Sequence, residues 1–224
     1  MADPMCYSAT RDRVETYFDR SATKVWERLT SDAPVSRIRQ TVREGRDKMR
    51  ALMLGRLPID LRGARVLDAG CGAGQMTAEL AARGADVMAV DISPELVKIA
   101  QSRLPTEHAG RVTFAAGDMT ADYGAFDYVL AMDSLIYYDT ADITAALTRL
   151  GARTGGPVVF TVAPKTPFLM TFWTLGKAFP RADRSPVMIP HAHATLTKVT
   201  GGKVSKVDRI SRGFYISECL EYRA

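Results

Sequence analysis

The segment that most constrains this chain is Val66-Leu67-Asp68-Ala69-Gly70-Cys71-Gly72-Ala73-Gly74, followed by a helix-like stretch from Gln75 to Arg83. A short apolar strand that enters a glycine-rich turn and leaves as a helix is the opening unit of a parallel α/β sheet. The glycines let the backbone turn sharply and approach a ligand closely, and the helix start adds a favourable dipole. The rest of the chain keeps the same rhythm. Strand-like runs fall at 65–68, 86–91, 111–115, 126–132 and 156–162, with helix-like stretches near 74–83, 94–104 and 141–152 between them. Two further strands are expected at 203–208 and 214–221, after a helix-like stretch near 191–200.

Upstream of residue 62 the pattern is helical. Val14, Tyr17 and Phe18, then Ala22, Val25, Trp26 and Leu29, recur near helical spacing, and a second run from Val35 to Met53 follows the Asp32-Ala33-Pro34 break. The expected organisation is an N-terminal helical arm or lid over 1–61 and one catalytic domain over 62–224, with a substrate-binding segment at 164–200. A chain of 224 residues with 46% hydrophobic and 25% charged residues has enough apolar surface for one such core. No apolar run reaches the ~18 residues that a membrane span needs. The three cysteines share no metal-ligand spacing and fit a reduced, cytoplasmic protein. The polar N-terminus has no secretory h-region. The net charge of +5 suits an anionic ligand or surface, and equally an ordinary basic protein.

The ligand of the loop follows from charge. Dinucleotide folds place G-x-G-x-x-G against a pyrophosphate. Here an acid, Asp68, stands ahead of the glycines, where a pyrophosphate would be repelled and the amino group of a methionine moiety would be held. Asp91, closing the next strand, is placed to take two ribose hydroxyls. The pattern therefore points to S-adenosylmethionine, with Asp68, Ala69, Gly70, Cys71, Gly72, Gly74, Asp91 and Ile92 as its cradle. Asp118 and Met119, after the third strand, are candidates for the adenine amino group and ring, with a helix-capping turn as the other reading of Asp118. Met132 and Ser134 close the fourth strand beside the expected sulfonium, and Asp133 between them reads equally as a helix N-cap.

Several longer segments carry a more specific resemblance. Tyr17-Phe-Asp-Arg20, 35–46, Ala131-Met-Asp-Ser-Leu-Ile-Tyr-Tyr138, Phe160-Thr-Val-Ala-Pro-Lys-Thr-Pro-Phe168, Arg184-Ser-Pro-Val-Met-Ile-Pro-His191 and Arg212-Gly-Phe-Tyr-Ile-Ser-Glu218 resemble the magnesium-protoporphyrin IX O-methyltransferases of bacteriochlorophyll biosynthesis, in their purple-bacterial form. The resemblance spans nearly the whole chain. It implies a class I S-adenosylmethionine-dependent methyltransferase, a Rossmann-like α/β fold with a mostly parallel seven-stranded sheet and the N-terminal helical arm. The implied reaction esterifies the C13 propionate of magnesium-protoporphyrin IX and leaves S-adenosylhomocysteine, with the magnesium belonging to the substrate and no metal to the protein. A propionate is already ionised at neutral pH, so no strong base is needed. The alternative is an O- or N-methyltransferase of another small anionic molecule.

Candidates near the chemistry are Tyr17, Tyr137 and His191. Some family members have His where this chain has Tyr137, so an obligatory imidazole base is not implied. His191 and His193 also read as a solvent-facing helix start. Substrate candidates are Arg43, Arg46, Tyr138, Lys165, Phe168, Trp173 and Arg184. Against these stand plainer readings: a solvated face for the arginines, packing for Tyr138, and a helix covering the sheet for the 166–180 stretch. The resemblance also makes a magnesium chelatase subunit a partner and allows peripheral contact with the photosynthetic membrane. No base-flipping motif follows the fourth strand, and aromatics do not alternate with basic residues on any strand, so nucleic acid is not an expected ligand.

Overall fold

The computed structural model describes residues 4–19, 36–167, 169, 170 and 188–224. Among them the elements in chain order are α1 (Pro4–Tyr17), α2 (Arg37–Leu54), β1 (Arg65–Ala69), α3 (Gln75–Ala82), β2 (Asp86–Asp91), α4 (Pro94–Arg103), β3 (Val112–Ala116), β4 (Tyr128–Ala131), α5 (Thr140–Gly151), β5 (Val158–Pro164), β6 (Pro190–His191), α6 (His193–Val199), β7 (Val204–Arg212) and β8 (Tyr215–Tyr222). The strands lie in the order β3-β2-β1-β4-β5-β8-β7, with the two-residue β6 attached to β5. The first five pair in parallel, whereas β8 runs antiparallel to β5 and β7 antiparallel to β8. This is the class I methyltransferase sheet, and the strand order reverses beside β1.

Alternation along the central strands builds two cores, one on each face. Leu67, Ala69, Val129, Ala131, Val158, Phe160 and Val162 pack on one side with α5 residues Ile143 and Leu147. Val66, Val87, Ala89, Leu130 and Val159 pack on the other with Leu80 of α3 and Met49, Met53 and Leu54 of α2. Because α2 shares that second core, it is fixed to the sheet by buried methionine and leucine, not only by polar contacts. A buried aromatic such as Phe160 is worth ~3–5 kcal/mol against alanine, and the second core is made chiefly of aliphatic and methionine side chains.

The helix starts follow local chemistry. The Ser93 hydroxyl accepts from Leu96 N at the start of α4, where Pro94 takes a position whose missing N–H costs nothing. The Asp139 carboxylate accepts from Asp142 N at the start of α5. Several expected boundaries shift by a residue or two, and β7 extends four residues further, to Arg212; three shifts bear on the site. Phe126 lies outside β4, in a single bridge to Thr154. Strand β5 runs two residues later than expected, to Pro164, where it pairs with β6. His191 does not begin a helix: it belongs to β6, and α6 starts at His193 after Ala192, which offers no side-chain cap. Periodicity ran through the junction because nothing in the sequence marks the true start.

Candidate functional site

The carboxyl ends of β1 to β4 open onto one cleft of about 1010 Å³, counted to its open mouth, which is walled on the far side by α1 and α2. Its floor is the glycine loop. Gly70 N and Cys71 N both donate to the Val90 carbonyl, at 2.8 and 2.9 Å, tying the turn to the end of β2. Gly70 has φ +85°, and a Cβ there would lie 2.4 Å from Ser134 Cβ, so only glycine lets the β1 and β4 turns touch. Gly72, at φ +52°, has nothing within 4 Å of where a Cβ would stand.

Three carboxylates surround this floor. Asp68 is buried and accepts from the Thr77 hydroxyl at 2.5 Å. Burial, and to a smaller degree the neighbouring Asp91, push its carboxyl up to about 7, while the Thr77 hydrogen bond opposes that rise. Asp91 accepts from Gly72 N at 2.8 Å through one oxygen and from Ser93 N at 2.9 Å through the other. Burial raises it as well, against those two amides. Asp118 is hydrogen-bonded through Oδ1, which accepts from Tyr7 Oη at 2.9 Å and from Thr120 N and Oγ1 at 2.8 Å each, while Arg11 Nη1 stands 3.8 Å from Oδ2.

The two helices of the arm supply the opposite wall. Tyr7, Arg11 and Val14 line the cleft from α1, and Phe18 from just past its end. Tyr7 stacks on Tyr138 with ring centroids 5.0 Å apart, and Phe18 meets Tyr137 edge-on at 6.2 Å. Arg46 and Arg50 enter from α2. Arg46 pairs with Asp133, and Arg50 bridges Asp47 at 2.9 Å and Glu79 at 2.5 Å. The phenols of Tyr7, Tyr137 and Tyr138 are all held well above the ordinary tyrosine range, chiefly by burial, so each remains a hydrogen-bond donor.

Of the expected cofactor residues, Asp68, Gly70, Cys71, Gly72, Asp91, Ile92, Asp118, Met119, Met132 and Ser134 all line the cleft. Ala69 stands behind it in the core, and Gly74 starts α3, where a Cβ would come within 2.9 Å of Ala100 Cβ. Tyr137, Tyr138 and Arg46 line it too. Tyr17 lies just outside, edge-on to Phe18 at 5.2 Å. Arg43 and the exposed Lys165 are not on the cleft wall, and Phe168, Trp173 and Arg184 fall outside the described residues.

His191 is away from the lining and buried. Its Nε2 lies 3.0 Å from the Tyr138 carbonyl and its Nδ1 3.3 Å from Thr140 Oγ1. A carbonyl only accepts, so Nε2 carries the proton and Nδ1 accepts from the threonine. Burial lowers its basicity, and the ring serves to hold the backbone after Tyr137. The cleft also contains residues that sequence reasoning passed over. Tyr7, Arg11, Val14 and Phe18 sit at intervals of three or four, which a helical stripe would have shown. Gln75 and Met76 follow the glycine loop directly.

The donor set matches a cationic amino-acid nucleoside. Asp68 offers a carboxylate where the amino group is expected, and both Asp91 oxygens retain lone pairs beyond the amides they accept from. Ser134 Oγ is buried with no hydrogen-bond partner among the described residues, at the wall shared by the β1 and β4 turns. Val14, Phe18, Leu96, Met119 and Met132 give the cleft its apolar surface. Among the described residues no cluster of His, Cys, Asp and Glu could hold a metal ion.

Comparison with known proteins agrees with this geometry. Residues 131–224 match the family described as magnesium-protoporphyrin IX methyltransferase C-terminus, and 66–154 match a general methyltransferase domain. The chain is 64% identical to the magnesium-protoporphyrin O-methyltransferase of Rhodobacter capsulatus, over 98% of this chain and 99% of that one. It is 29% identical to the enzyme of the same name from Synechocystis, over 93% and 94%. The crystal structure of magnesium protoporphyrin IX methyltransferase from Synechocystis with bound SAH superposes with a TM-score of 0.80 at 28% identity, covering 96% of this chain and all of that one. The same protein has been solved with bound SAM.

Proposed function

The chain belongs to the magnesium-protoporphyrin O-methyltransferase family, and from that premise we propose which of its residues carry the reaction. It is an S-adenosylmethionine-dependent O-methyltransferase that acts on magnesium-protoporphyrin IX. In this reading the oxygen that is methylated belongs to the C13 propionate. The observation that carries the reading is the pairing, in one cleft, of three carboxylates on the β1–β3 edge with arginines and tyrosines on the facing wall.

When bound, S-adenosylmethionine supplies a methyl group on a sulfonium centre, which an acceptor oxygen displaces to leave a neutral thioether. Asp68 holds the amino group, Asp91 the ribose hydroxyls, and Asp118 the adenine amino group through Oδ2. Met119 covers the ring. Arg46 takes the acceptor carboxylate, with Tyr137 donating to it from the end of β4. Tyr138, stacked on Tyr7, forms the flat boundary of the acceptor side. No group has to remove a proton, since the carboxylate arrives ionised. The chain contributes alignment and exclusion of water, the two terms on which displacement by a weak, well-solvated nucleophile depends.

The arm over 1–61 acts as a lid in this reading. What supports that role is that α1 is tied to the cofactor edge through Tyr7 to Asp118, and that Asp19, two residues past α1, accepts from the Ser93 hydroxyl. The reading extends to hand-over of the macrocycle from a chelatase subunit and to peripheral membrane contact. Exposed Ile38 and Phe214 beside Arg39 and Arg212 support the latter. Among the described residues no helix is long and apolar enough to cross a membrane.

The test is direct. Purified protein incubated with radiolabelled S-adenosylmethionine and magnesium-protoporphyrin IX is expected to yield a base-labile labelled monoester on the C13 side chain. Label transfer to other small carboxylates, with none to the porphyrin, would overturn the reading.

A further inference from the structure

Three groups, Thr161, Tyr215 and Arg46, converge on Asp133, the residue that follows Met132 just past β4. Asp133 adopts φ +56°, a left-handed conformation that a non-glycine side chain takes only when its surroundings enforce it. They do. Its amide donates to Thr161 Oγ1 at 2.7 Å, and its Oδ1 accepts from that same hydroxyl at 3.1 Å. The Tyr215 hydroxyl lies 3.1 Å from Oδ1 and 3.3 Å from Oδ2. Oδ2 is also the partner of the Arg46 guanidinium.

Tyr215 reaches this point through a notch in α2. A Cβ on Gly45 would fall 2.6 to 2.8 Å from three carbons of the Tyr215 side chain, so the ring is seated where α2 has no side chain. Gly45 directly precedes Arg46. A closed circuit results: α2 lays its glycine against Tyr215, Tyr215 donates to Asp133, and Asp133 returns to the next residue of α2. Burial keeps the Tyr215 phenol protonated, and hence a donor, throughout the working pH range.

We propose that Tyr215 is a positioning residue of the methyl transfer: by holding Asp133, it fixes the direction in which Arg46 presents its guanidinium to the acceptor carboxylate. The physical need is clear. Asp133 is an anion facing a cleft that must receive a second anion, and like charges there would repel the acceptor. Shared donation from Tyr215, Thr161 and Arg46 keeps the Asp133 charge directed away from the acceptor. An arginine tethered on one side also loses less freedom on binding than a mobile one. Tyr215 itself does not line the cleft, so its effect passes entirely through Asp133 and Arg46.

The inference rests on the assignment of Arg46 to the acceptor, and the experiment separates the two. Steady-state rates with magnesium-protoporphyrin IX and calorimetric binding of S-adenosylhomocysteine are compared for wild type, Tyr215→Phe, Asp133→Asn, Arg46→Lys and the Tyr215→Phe/Arg46→Lys pair. Tyr215→Phe is expected to lower kcat/KM for the porphyrin by about tenfold, the scale of one hydrogen bond to a charged group, with cofactor Kd within about twofold of wild type. Asp133→Asn should act the same way, and the pair should lose no more than Arg46→Lys alone, because coupled residues are non-additive. Wild-type kinetics in Tyr215→Phe, or additive losses in the pair, would overturn the inference. So would a rise in cofactor Kd matching the loss of rate. Wild-type rates in Arg46→Lys, and again in a separate Arg46→Ala variant, would instead remove Arg46 from the acceptor site and overturn the inference with it.

Discussion

The two halves of the cleft are made in different ways. On the side proposed for the cofactor, Asp68 and Asp91 stand at the ends of β1 and β2 and Asp118 just past β3, and backbone amides two residues on hold Asp91 and Asp118, with Gly72 N of the β1 turn also donating to Asp91. Most of what holds them comes from the β1–β3 turns and α3, with the Tyr7 hydroxyl reaching Asp118 from α1. On the acceptor side the groups come from α1, α2, the end of β4 and β8, and their contacts close 87 residues of chain between Arg46 and Asp133 and 82 between Asp133 and Tyr215. The first half is a property of local sequence placed on a sheet, and the second is a property of the whole tertiary arrangement. A change on the cofactor side should therefore remove one function cleanly, whereas a change on the acceptor side should spread through its partners.

The sharpest way to break this contrast is Asp91→Ala. It removes both acceptors for the ribose and leaves Gly72 N and Ser93 N without partners, so S-adenosylhomocysteine affinity should fall by roughly 100-fold or more. Porphyrin binding, followed by its absorbance, should change little. Comparable loss of both ligands would show that the two halves are not separable. Next in size is Tyr137→Phe, which leaves the ring and its contact with Phe18 in place. It is expected to lower kcat by about 10- to 30-fold, with cofactor Kd nearly constant, since only orientation of the acceptor is lost. An unchanged kcat would remove the phenol from the chemistry.

The smallest effect concerns pH. Asp68 titrates at about 7 in the folded, ligand-free protein, whereas an exposed Asp ionises near 4. Between those values the unfolded chain binds fewer protons than the folded one, so the ligand-free protein should lose stability as pH rises from about 4 to about 7. An amino group held by Asp68 favours the anion. Binding below pH 7 should then release a proton, and affinity for S-adenosylhomocysteine should drop by up to about tenfold from pH 8 to pH 6. Calorimetry in two buffers of different ionisation enthalpy reads that proton directly. No release at pH 6 would mean that Asp68 is already ionised without ligand.

The same contrast explains what the sequence reveals. The β1 turn, the acid that ends β2 and the strand–helix alternation of a parallel sheet follow from short segments whose residue types constrain each other locally. Asp133 is different: as the residue after a strand it reads equally as a helix cap, and its partners Arg46 and Tyr215 lie far off along the chain. Tyr215 begins β8, where an inward-facing tyrosine reads as packing, and nothing local says that its hydroxyl meets a carboxylate. Tyr7 lies in a polar stretch with few apolar neighbours, and its stacking on Tyr138 depends on how α1 crosses the sheet. His191 shows the converse. A histidine next to a conspicuous motif invites a chemical role, yet the fold gives both ring nitrogens to a carbonyl and a threonine.

The position of β8 has one more consequence, concerning the order of assembly. Strand β7 is synthesised before β8, but β8 lies between it and β5 in the sheet. Until 215–222 are added, β5 has a bare outer edge and β7 has no neighbour to pair with among the described residues. Tyr215 is the first residue of that inserted strand. On the proposal that Tyr215 holds Asp133 and, through it, Arg46, the acceptor side gains that support only once this last strand has entered the sheet.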